Sequence, residues 1–301
     1  MTSILDKLKS GEPARLFPVV SESKREERAT ATMLAVMSMV PKFSEAILSQ
    51  AGAKFGKRTI VKCYTEVIFS DNPKLRPDGL IVVQNGKNEW SALIEAKVGS
   101  ANLKQEQVED YMRLCRDTGA DALITVSNQF ALRPHHHPLL IPRRQQKYVT
   151  VGHFSWLSII SEALILIEQQ WVEDIEQAYL LRELIRYLEH KSSGVSSHVR
   201  MGQGWKETVA AFQAGTKLPK SSPYLREAVA SWHQVLRLLT VSLTMKTGTL
   251  VTLSLNRARQ RDPDLNFQKD LDHLSKTNEL EAELELADMP AKLKITANFT
   301  R

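Results

Sequence analysis

The sequence predicts an α/β protein in two parts: a mixed sheet flanked by helices in residues 1–191, then a smaller α/β unit in residues 192–301. Segments with apolar residues at helical spacing alternate with short segments rich in β-branched and aromatic residues. The pair Asn85–Gly86 separates two apolar runs, which is a strong signal for a β-hairpin. A stretch rich in serine and glycine at 192–197 indicates a flexible joint between the two parts.

The first predicted element is a helix over residues 22–50. Ser21 or Ser23 is expected to cap this helix, and Pro41 is expected to kink or divide it. The apolar residues that recur at helical spacing are Met33, Leu34, Met37, Val40, Phe43 and Ile47. A strand over residues 59–69 follows, because that run is rich in β-branched and aromatic residues.

The rest of the first part is predicted to continue the alternation of strands and helices. The turn at 84–87 joins two of the strands, and prolines interrupt the loop after the strand at 122–126. The predicted elements are strands at 80–83, 90–97, 122–126 and 147–151, and helices at 103–117, 154–169 and 171–190.

The second part is predicted to contain helices at 204–214, 223–244 and 265–277 and strands at 250–255, 280–286 and 292–299. Its charge is unevenly distributed. Residues 192–261 hold ten Lys or Arg and two acids, a net charge of +8, whereas residues 262–301 hold nine acids and five bases, a net charge of −4. Such a basic region can follow a phosphate backbone, with Trp205 or Trp232 stacking on bases. The alternative is that both tryptophans are core residues and the charges only solubilise the unit.

Composition excludes several classes of protein. A hydrophobic content of 43% over 301 residues is enough for a folded core, and the net charge of +6 permits an anionic partner without requiring one. Cys63 and Cys115 are too few for a disulfide scaffold or a zinc finger. Charges interrupt the first twenty residues, and the most apolar run, 154–167, is too short to cross a bilayer. We therefore expect a soluble, cytoplasmic protein with no membrane partner.

Asp78, Glu95 and Lys97 form the candidate chemical site. Side chains alternate across a strand, so Glu95 and Lys97 point to one face while Ala96 packs on the other. The hairpin brings Asp78 beside Glu95 although they are seventeen positions apart. Two carboxylates and the Ala96 carbonyl can hold a hard divalent cation, and Lys97 can orient an attacking water. The alternative is a surface hairpin whose Glu95 and Lys97 merely pair.

Pro77-Asp78 followed by Glu95-Ala96-Lys97 resembles the motif of the PD-(D/E)XK, or restriction-endonuclease-like, nuclease superfamily. The predicted element order over residues 22–152 matches that core: a helix, a meander of strands that carries the motif, a second helix and a further strand. Gln107 and Tyr111 resemble the Gln-x-x-x-Tyr extension of the RecB-like branch, and a spacing of four places them on one helix face.

The resemblance implies a restriction-endonuclease-like fold and hydrolysis of DNA phosphodiester bonds with Mg²⁺ or Mn²⁺, in defence, repair or a stress response. It implies that Asp78 and Glu95 are metal ligands and that Lys97 positions the water. Gln107 and Tyr111 would contact the substrate near the cleaved phosphate, although Tyr111 can equally be a core residue. The superfamily often takes a further acidic ligand from an earlier element, here Glu66 or Glu27.

The remaining signals leave the function open. The run His135-His136-His137 is a weak metal candidate, because consecutive residues cannot easily all face one ion and the sequence offers no further ligand at a suitable spacing. A basic segment follows, with Arg143, Arg144 and Lys147. It could contact phosphate; the alternative is a basic loop that contacts no ligand. Two other functions stay open: an inactive nuclease fold that binds nucleic acid or protein, and a structural or signalling protein whose C-terminal unit drives assembly into a homo-oligomer.

Overall fold

The computed structural model describes residues 3–18, 21, 23–129, 137–139, 141, 147–195, 202–247, 249–287 and 289–300. The chain divides into two compact units, Met1–Ser197 and His198–Arg301. Within the described residues, no single helix is both long and apolar enough to cross a membrane; one bent pair, Arg25–Met39 with Pro41–Ala51, passes by length and composition alone. Most residues of this pair are buried in the protein core.

The first unit is built on a mixed sheet flanked by helices, as the sequence predicts. The strands are β1 (Leu8–Pro13), β2 (Ile60–Phe69), β3 (Gly79–Asn85), β4 (Asn88–Ala96), β5 (Ala122–Ser127) and β6 (Thr150–Ser155). The helices are α1 (Arg25–Met39), α2 (Pro41–Leu48), α3 (Gln105–Thr118), α4 (Trp156–Glu168) and α5 (Ile175–Glu189). The strand order is β1-β2-β3-β4-β5-β6; the pairs from β1 to β4 are antiparallel, and β4, β5 and β6 are parallel.

Burial on both faces explains the sequence of the central strands. All six residues of β5 are buried, as expected for a parallel strand covered on both sides. Val108 and Met112 of α3 belong to the hydrophobic cluster on one face, together with Leu93 and Leu123. On the opposite face, residues of α1, α2 and α4 meet Ile94 of β4. The ends of β3 and β4 are thereby held between two helical layers.

The helix predicted at 22–50 is divided at Val40. Pro41 occupies the first turn of α2, where the missing N–H of proline leaves no hydrogen bond unmade. The predicted cap is wrong, because Lys24 occupies the N-cap position of α1 and its side chain makes no capping hydrogen bond. The hydroxyls of Ser21 and Ser23 instead contact each other at 2.6 Å.

Two strands of the first sheet differ from the sequence prediction. Strand β1 was not predicted, because Gly11 and Pro13 give this short segment the composition of a loop; both are tolerated on an edge strand, which β1 is. The strand predicted at 147–151 lies at Thr150–Ser155, because Gly152 and the buried polar residue His153 obscure its pattern.

The second unit contains a three-stranded antiparallel sheet and helices. Its strands are β7 (Val251–Leu253), β8 (Glu279–Leu286) and β9 (Lys292–Asn298), in the order β7-β8-β9. Its helices are α6 (Gln203–Gln213), α7 (Pro223–Thr247), α8 (Arg257–Arg261) and α9 (Pro263–Thr277), of which α8 was not predicted.

The second unit does not present its tryptophans as predicted for base stacking. Trp232 is 3% exposed and therefore a core residue. Trp205 is half-buried, with its ring centroid 4.4 Å from that of Phe299. Part of the concentrated positive charge is also neutralised inside the unit, since Lys220 pairs with Asp272 and Arg259 with Asp270. These contacts favour the structural interpretation of both tryptophans.

Candidate active site

The hairpin register places Asp78 and Glu95 together. Gly79 pairs with Ile94 across β3 and β4, so the next residues outward, Asp78 and Glu95, lie level with each other. The Oδ2 atom of Asp78 accepts a hydrogen bond of 2.7 Å from the backbone N–H of Ala96. Asp78 is half-buried and Glu95 is 1% exposed. The two carboxylates therefore lie side by side, where β3 begins and β4 ends.

Close packing explains why the residue after Asp78, Gly79, is a glycine. A Cβ atom at this position would lie 2.5 Å from Cδ1 of the buried Leu34 in α1 and 3.1 Å from the backbone oxygen of Tyr64. Only a residue without a side chain lets helix and neighbouring strand approach β3 this closely. The same approach places the first turn of α1 beside the two carboxylates.

Lys97 lies at the centre of an ion-pair cluster. Its Nζ atom is 2.6 Å from Oε1 of Glu95 and 2.7 Å from Oε1 of Glu26, and it donates a hydrogen bond of 3.0 Å to the carbonyl of Ala96. Oε1 of Glu95 has no partner of good hydrogen-bonding geometry among the described residues, so its contact with Lys97 is an ion pair. The indole N–H of Trp156 donates to the carbonyl of Lys97 at 2.8 Å and fixes its backbone.

Glu26 was not predicted as a site residue. The sequence singled out its neighbour Glu27, whose carboxylate instead pairs with Lys24 at 2.8 Å and lies 42% exposed. Both acids are in the first turn of α1, and the turn geometry directs only Glu26 towards Lys97.

Burial sets the protonation of the three central groups. Burial, and after it the neighbouring charge of Glu95, raises the pKa of Asp78 to about 8 against the lowering effect of the Ala96 hydrogen bond. Burial also raises the pKa of Glu95, against the lowering effect of the Lys97 ammonium. For Lys97, burial alone would lower the pKa, but the carboxylates of Glu26 and Glu95 outweigh it and the pKa is raised. Lys97 is therefore an ammonium near neutral pH, and the carboxyl pair retains a proton.

Tyr111 and Gln107 reach the site from α3. The hydroxyl of Tyr111 donates a hydrogen bond of 2.8 Å to the carbonyl of Arg76, two residues before Asp78. The side chain of Gln107 is hydrogen-bonded to Tyr111. Burial and the nearby charge of Glu95 raise the pKa of Tyr111. Tyr111 is thus both a buried residue, 5% exposed, and an anchor for the segment that carries Asp78.

The oxygen donors fit a cation that takes few protein ligands. Within the described residues, no group of three or more His, Cys, Asp or Glu side chains is close enough to hold a metal ion. Asp78, Glu95 and the carbonyl of Ala96 remain as a set of hard oxygen donors, and Mg²⁺ commonly takes one or two carboxylates and keeps several waters. Oε1 of Glu95 is ion-paired with Lys97 and accepts no hydrogen bond among the described residues, which is compatible with such a further ligand.

Glu66 lies away from this set. It is exposed, and its backbone is in the left-handed region with φ 53°, at an irregularity in the pairing of β1 and β2. It lines a cleft that Asp78 also lines, but it does not complete a three-carboxylate group with Asp78 and Glu95.

His137 belongs to a polar chain beside the site; His135, His136, Arg143 and Arg144 lie outside the described residues. Thr125 pairs with Glu95 in the parallel register and with His153 on its other side. Its Oγ1 atom is 2.9 Å from Nε2 of His137 and 2.9 Å from Nδ1 of His153. The exposed Lys147 lies over the ring of Tyr148, 5.5 Å from its centroid.

The partners of the two histidines define their tautomers. Nδ1 of His137 accepts from the N–H of Leu139 at 3.1 Å, so its proton is on Nε2 and points to Thr125. Nε2 of His153 is 2.8 Å from the carbonyl of Gln129 and must donate, so Nδ1 accepts from Thr125. Both rings are neutral in this arrangement, and burial lowers the pKa of His137 to about 4 and that of His153 to about 3. They serve this chain of hydrogen bonds rather than a metal ion.

We expect this chain to make folding stability depend on pH. The unfolded histidines take up protons below about pH 6.5 while the folded ones stay neutral, so the free energy of unfolding falls as the pH drops from 6.5 towards 4. His137→Gln keeps a donor towards Thr125 and removes one titration. Between pH 4 and 6.5 the slope should fall by about 1 kcal/mol per pH unit relative to wild type.

Urea unfolding at several pH values measures that slope. His190→Gln, at an exposed position of the same unit, is the matched control. An unchanged slope in His137→Gln would contradict the neutral chain.

Comparison with known proteins gives no relative: no protein-family model, curated protein or solved structure matches the chain.

Proposed function

We propose that the first unit is a metal-dependent nuclease of the PD-(D/E)XK type that hydrolyses DNA phosphodiester bonds. The observation that carries the proposal is the cluster at the ends of β3 and β4. Asp78 accepts a hydrogen bond from the backbone N–H of Ala96, the residue between Glu95 and Lys97. Lys97 contacts Glu95 at 2.6 Å. Charged groups at the end of a buried strand are costly, so their presence indicates a use.

The order of elements supports a restriction-endonuclease-like core. Helix α1 is followed by the antiparallel meander β2-β3-β4, by α3 and by β5, which lies parallel to β4. The Asp-Gly step begins β3, and the Glu-Ala-Lys step ends β4. Gln107 and Tyr111 reach the cluster from α3, as the resemblance to the RecB-like branch requires.

In this proposal each residue has a separate role. Asp78, Glu95 and the Ala96 carbonyl would hold Mg²⁺ or Mn²⁺; when bound, the ion supplies charge neutralisation at the phosphate and a water of lowered pKa. Lys97 remains an ammonium, so it acts as a donor that orients the attacking water or a phosphate oxygen rather than as a base. Tyr111 holds the Asp78 segment in place through the Arg76 carbonyl.

Cleavage of supercoiled plasmid and linear duplex DNA in Mg²⁺ or Mn²⁺ tests the proposal. Wild type is expected to cleave and to stop in EDTA. Asp78→Ala should reduce the rate by about 10³-fold or more, because a lost ligand removes several kcal/mol of transition-state stabilisation and 1.36 kcal/mol is tenfold. Glu45→Ala, which removes a surface carboxylate on α2, is the matched control and should cleave normally.

Each other outcome has a definite meaning. Equal cleavage by wild type and Asp78→Ala would overturn the mechanism. DNA binding without cleavage by wild type would favour an inactive nuclease fold, and neither binding nor cleavage would reject a nucleic-acid function.

A further inference from the structure

A cleft of about 650 Å³ opens beside Asp78. Its walls come from the edge strand β1, the segment before α1, the first two turns of α1, strand β2 and the segment that leads into β3. Besides Asp78, its charged lining residues are three bases and three acids: Arg15, Lys24, Arg76, Glu12, Glu27 and Glu66. Apart from Asp78 the bases and acids are equal in number, so the arrangement of pairs decides what the cleft attracts.

Two of the three bases are engaged by acids of the same cleft. Lys24 contacts Glu27 at 2.8 Å, and the charge of Glu66 also acts on it. Arg15 contacts Glu12 at 3.8 Å. Arg76 differs from both: among the described residues, no hydrogen bond, ion pair or ring contact engages its exposed side chain.

The backbone of Arg76 is nevertheless held firmly. Its carbonyl accepts the 2.8 Å hydrogen bond from the buried Tyr111, and the next residue, Pro77, is buried. Asp78 follows, held by its own hydrogen bond to Ala96. The structure thus combines a fixed main chain with a guanidinium that no described residue pairs with, two residues from the candidate metal ligand and at the same cleft.

We propose that Arg76 binds a backbone phosphate of a single strand of nucleic acid that lies in this cleft and passes Asp78. This inference rests on the proposed nuclease function. A guanidinium binds phosphate through two parallel N–H donors, which suits an arginine that has no carboxylate partner within the part of the chain that the structure describes. A cleft of about 650 Å³ is of the size of a small-ligand site, so it admits a short stretch or an end of one strand but not a double helix.

Binding of a labelled oligothymidine to the full-length protein tests this role by fluorescence anisotropy. The assay uses Ca²⁺, which takes the same oxygen ligands as Mg²⁺, and a gel confirms that the oligonucleotide stays intact. Arg76→Gln should raise Kd about tenfold. It should also lower the magnitude of the slope of log K against log salt by about 0.7, the value for one phosphate contact on a single strand.

Two variants control for general effects. Arg76→Lys keeps the charge, so it should retain the salt slope while losing part of the affinity. Arg116→Gln removes an exposed arginine of α3 that does not line the cleft, and it should bind as wild type does. All variants should unfold at the wild-type temperature, since no described residue engages the exposed Arg76 side chain by a hydrogen bond, ion pair or ring contact.

The outcomes separate this inference from the proposed function. If wild type binds the oligonucleotide and Arg76→Gln binds it equally well, only the role of Arg76 falls. If Arg76→Gln weakens binding of a duplex but not of the single strand, the single-strand assignment is overturned. If wild type binds neither, the nuclease proposal itself fails.

Discussion

Replacement of Lys97 by methionine is expected to lower the free energy of unfolding by about 3–5 kcal/mol and to abolish cleavage. The side chain of Glu95 is only 2% exposed, and Lys97 is the cation that contacts it. Removal of one partner leaves a buried carboxylate without compensation, which is the costly way to break a buried ion pair. Glu26 would also lose its partner, but its side chain is 31% exposed and its cost is smaller.

A second substitution separates stability from activity. In Glu95→Gln/Lys97→Met the buried carboxylate becomes a neutral amide of the same shape, so most of the lost stability should return. Cleavage should stay absent, because the candidate ligand and the ammonium are both gone. Lys42→Met is the control: its pair with Glu45 has side chains 59% and 45% exposed, and the change should stay within about 0.5 kcal/mol.

Urea unfolding at pH 7, followed by far-UV circular dichroism, measures these free energies. A loss below about 1 kcal/mol in Lys97→Met would show that Lys97 does not compensate Glu95 in solution. A double variant as unstable as the single one would show that the loss comes from packing rather than charge.

The proximity of Asp78 and Glu95 was predictable because it depends on the hairpin between them. In the structure the turn lies at Gly86–Lys87, and Asn85 pairs with Asn88. A hairpin with a two-residue turn fixes every later pair, since each step along one strand is matched by a step along the other. Counting outward from Gly86–Lys87 brings position 78 opposite position 95. A turn centred on Asn85–Gly86, as the sequence predicts at 84–87, would bring it opposite position 93, so the hairpin follows from the sequence but its register comes from the structure.

The contact of Glu26 with Lys97 was not predictable in the same way. The two residues are 71 positions apart, and their contact depends on how α1 packs against the sheet. The charged run at 24–28 contains two acids, Glu26 and Glu27, and its sequence does not indicate which of them faces the sheet. The hydrogen-bonded chain of His137, Thr125 and His153 is hidden for the same reason, since it joins two strands and a loop.

Edge strands and polar strands were the weak points of the fold prediction. Strand β1 has no alternating apolar pattern, because it covers one edge of the sheet with no buried residues. The predicted position of strand β6 lies too early in the sequence, because the apolar run 148–151 precedes the polar, buried end of the strand. Periodicity detects faces that are buried for their apolar character; β1 has no buried residue, and buried polar residues interrupt the apolar pattern of β6.

Asp78→Asn is expected to stabilise the metal-free protein at alkaline pH. The folded Asp78 carboxyl has a pKa of about 8, against an ordinary value of 3.8. Between these values the folded state holds a proton that the unfolded state has released, so the free energy of unfolding falls as the pH rises from about 4 to 8. The neutral amide avoids this loss, and we expect a gain of about 1–3 kcal/mol over wild type at pH 8.5 and little difference at pH 4. The two buried histidines also change the free energy of unfolding with pH. They do so equally in both proteins, so their effect cancels in the comparison.

The same substitution should reverse its effect when a divalent cation is added. If Asp78 and Glu95 hold Mg²⁺, the ion displaces their proton and stabilises the wild type by about 2.7 kcal/mol at one hundred times Kd. Asp78→Asn lacks one ligand and should gain little, so at pH 8.5 the wild type becomes comparable to the variant or more stable. Thermal unfolding with EDTA and with Mg²⁺ measures both effects, and Glu45→Gln should respond to pH and Mg²⁺ as the wild type does. Equal stabilisation of wild type and Asp78→Asn by Mg²⁺ would mean that the ion binds elsewhere, and the raised pKa of Asp78 would then reflect burial without a metal to relieve it.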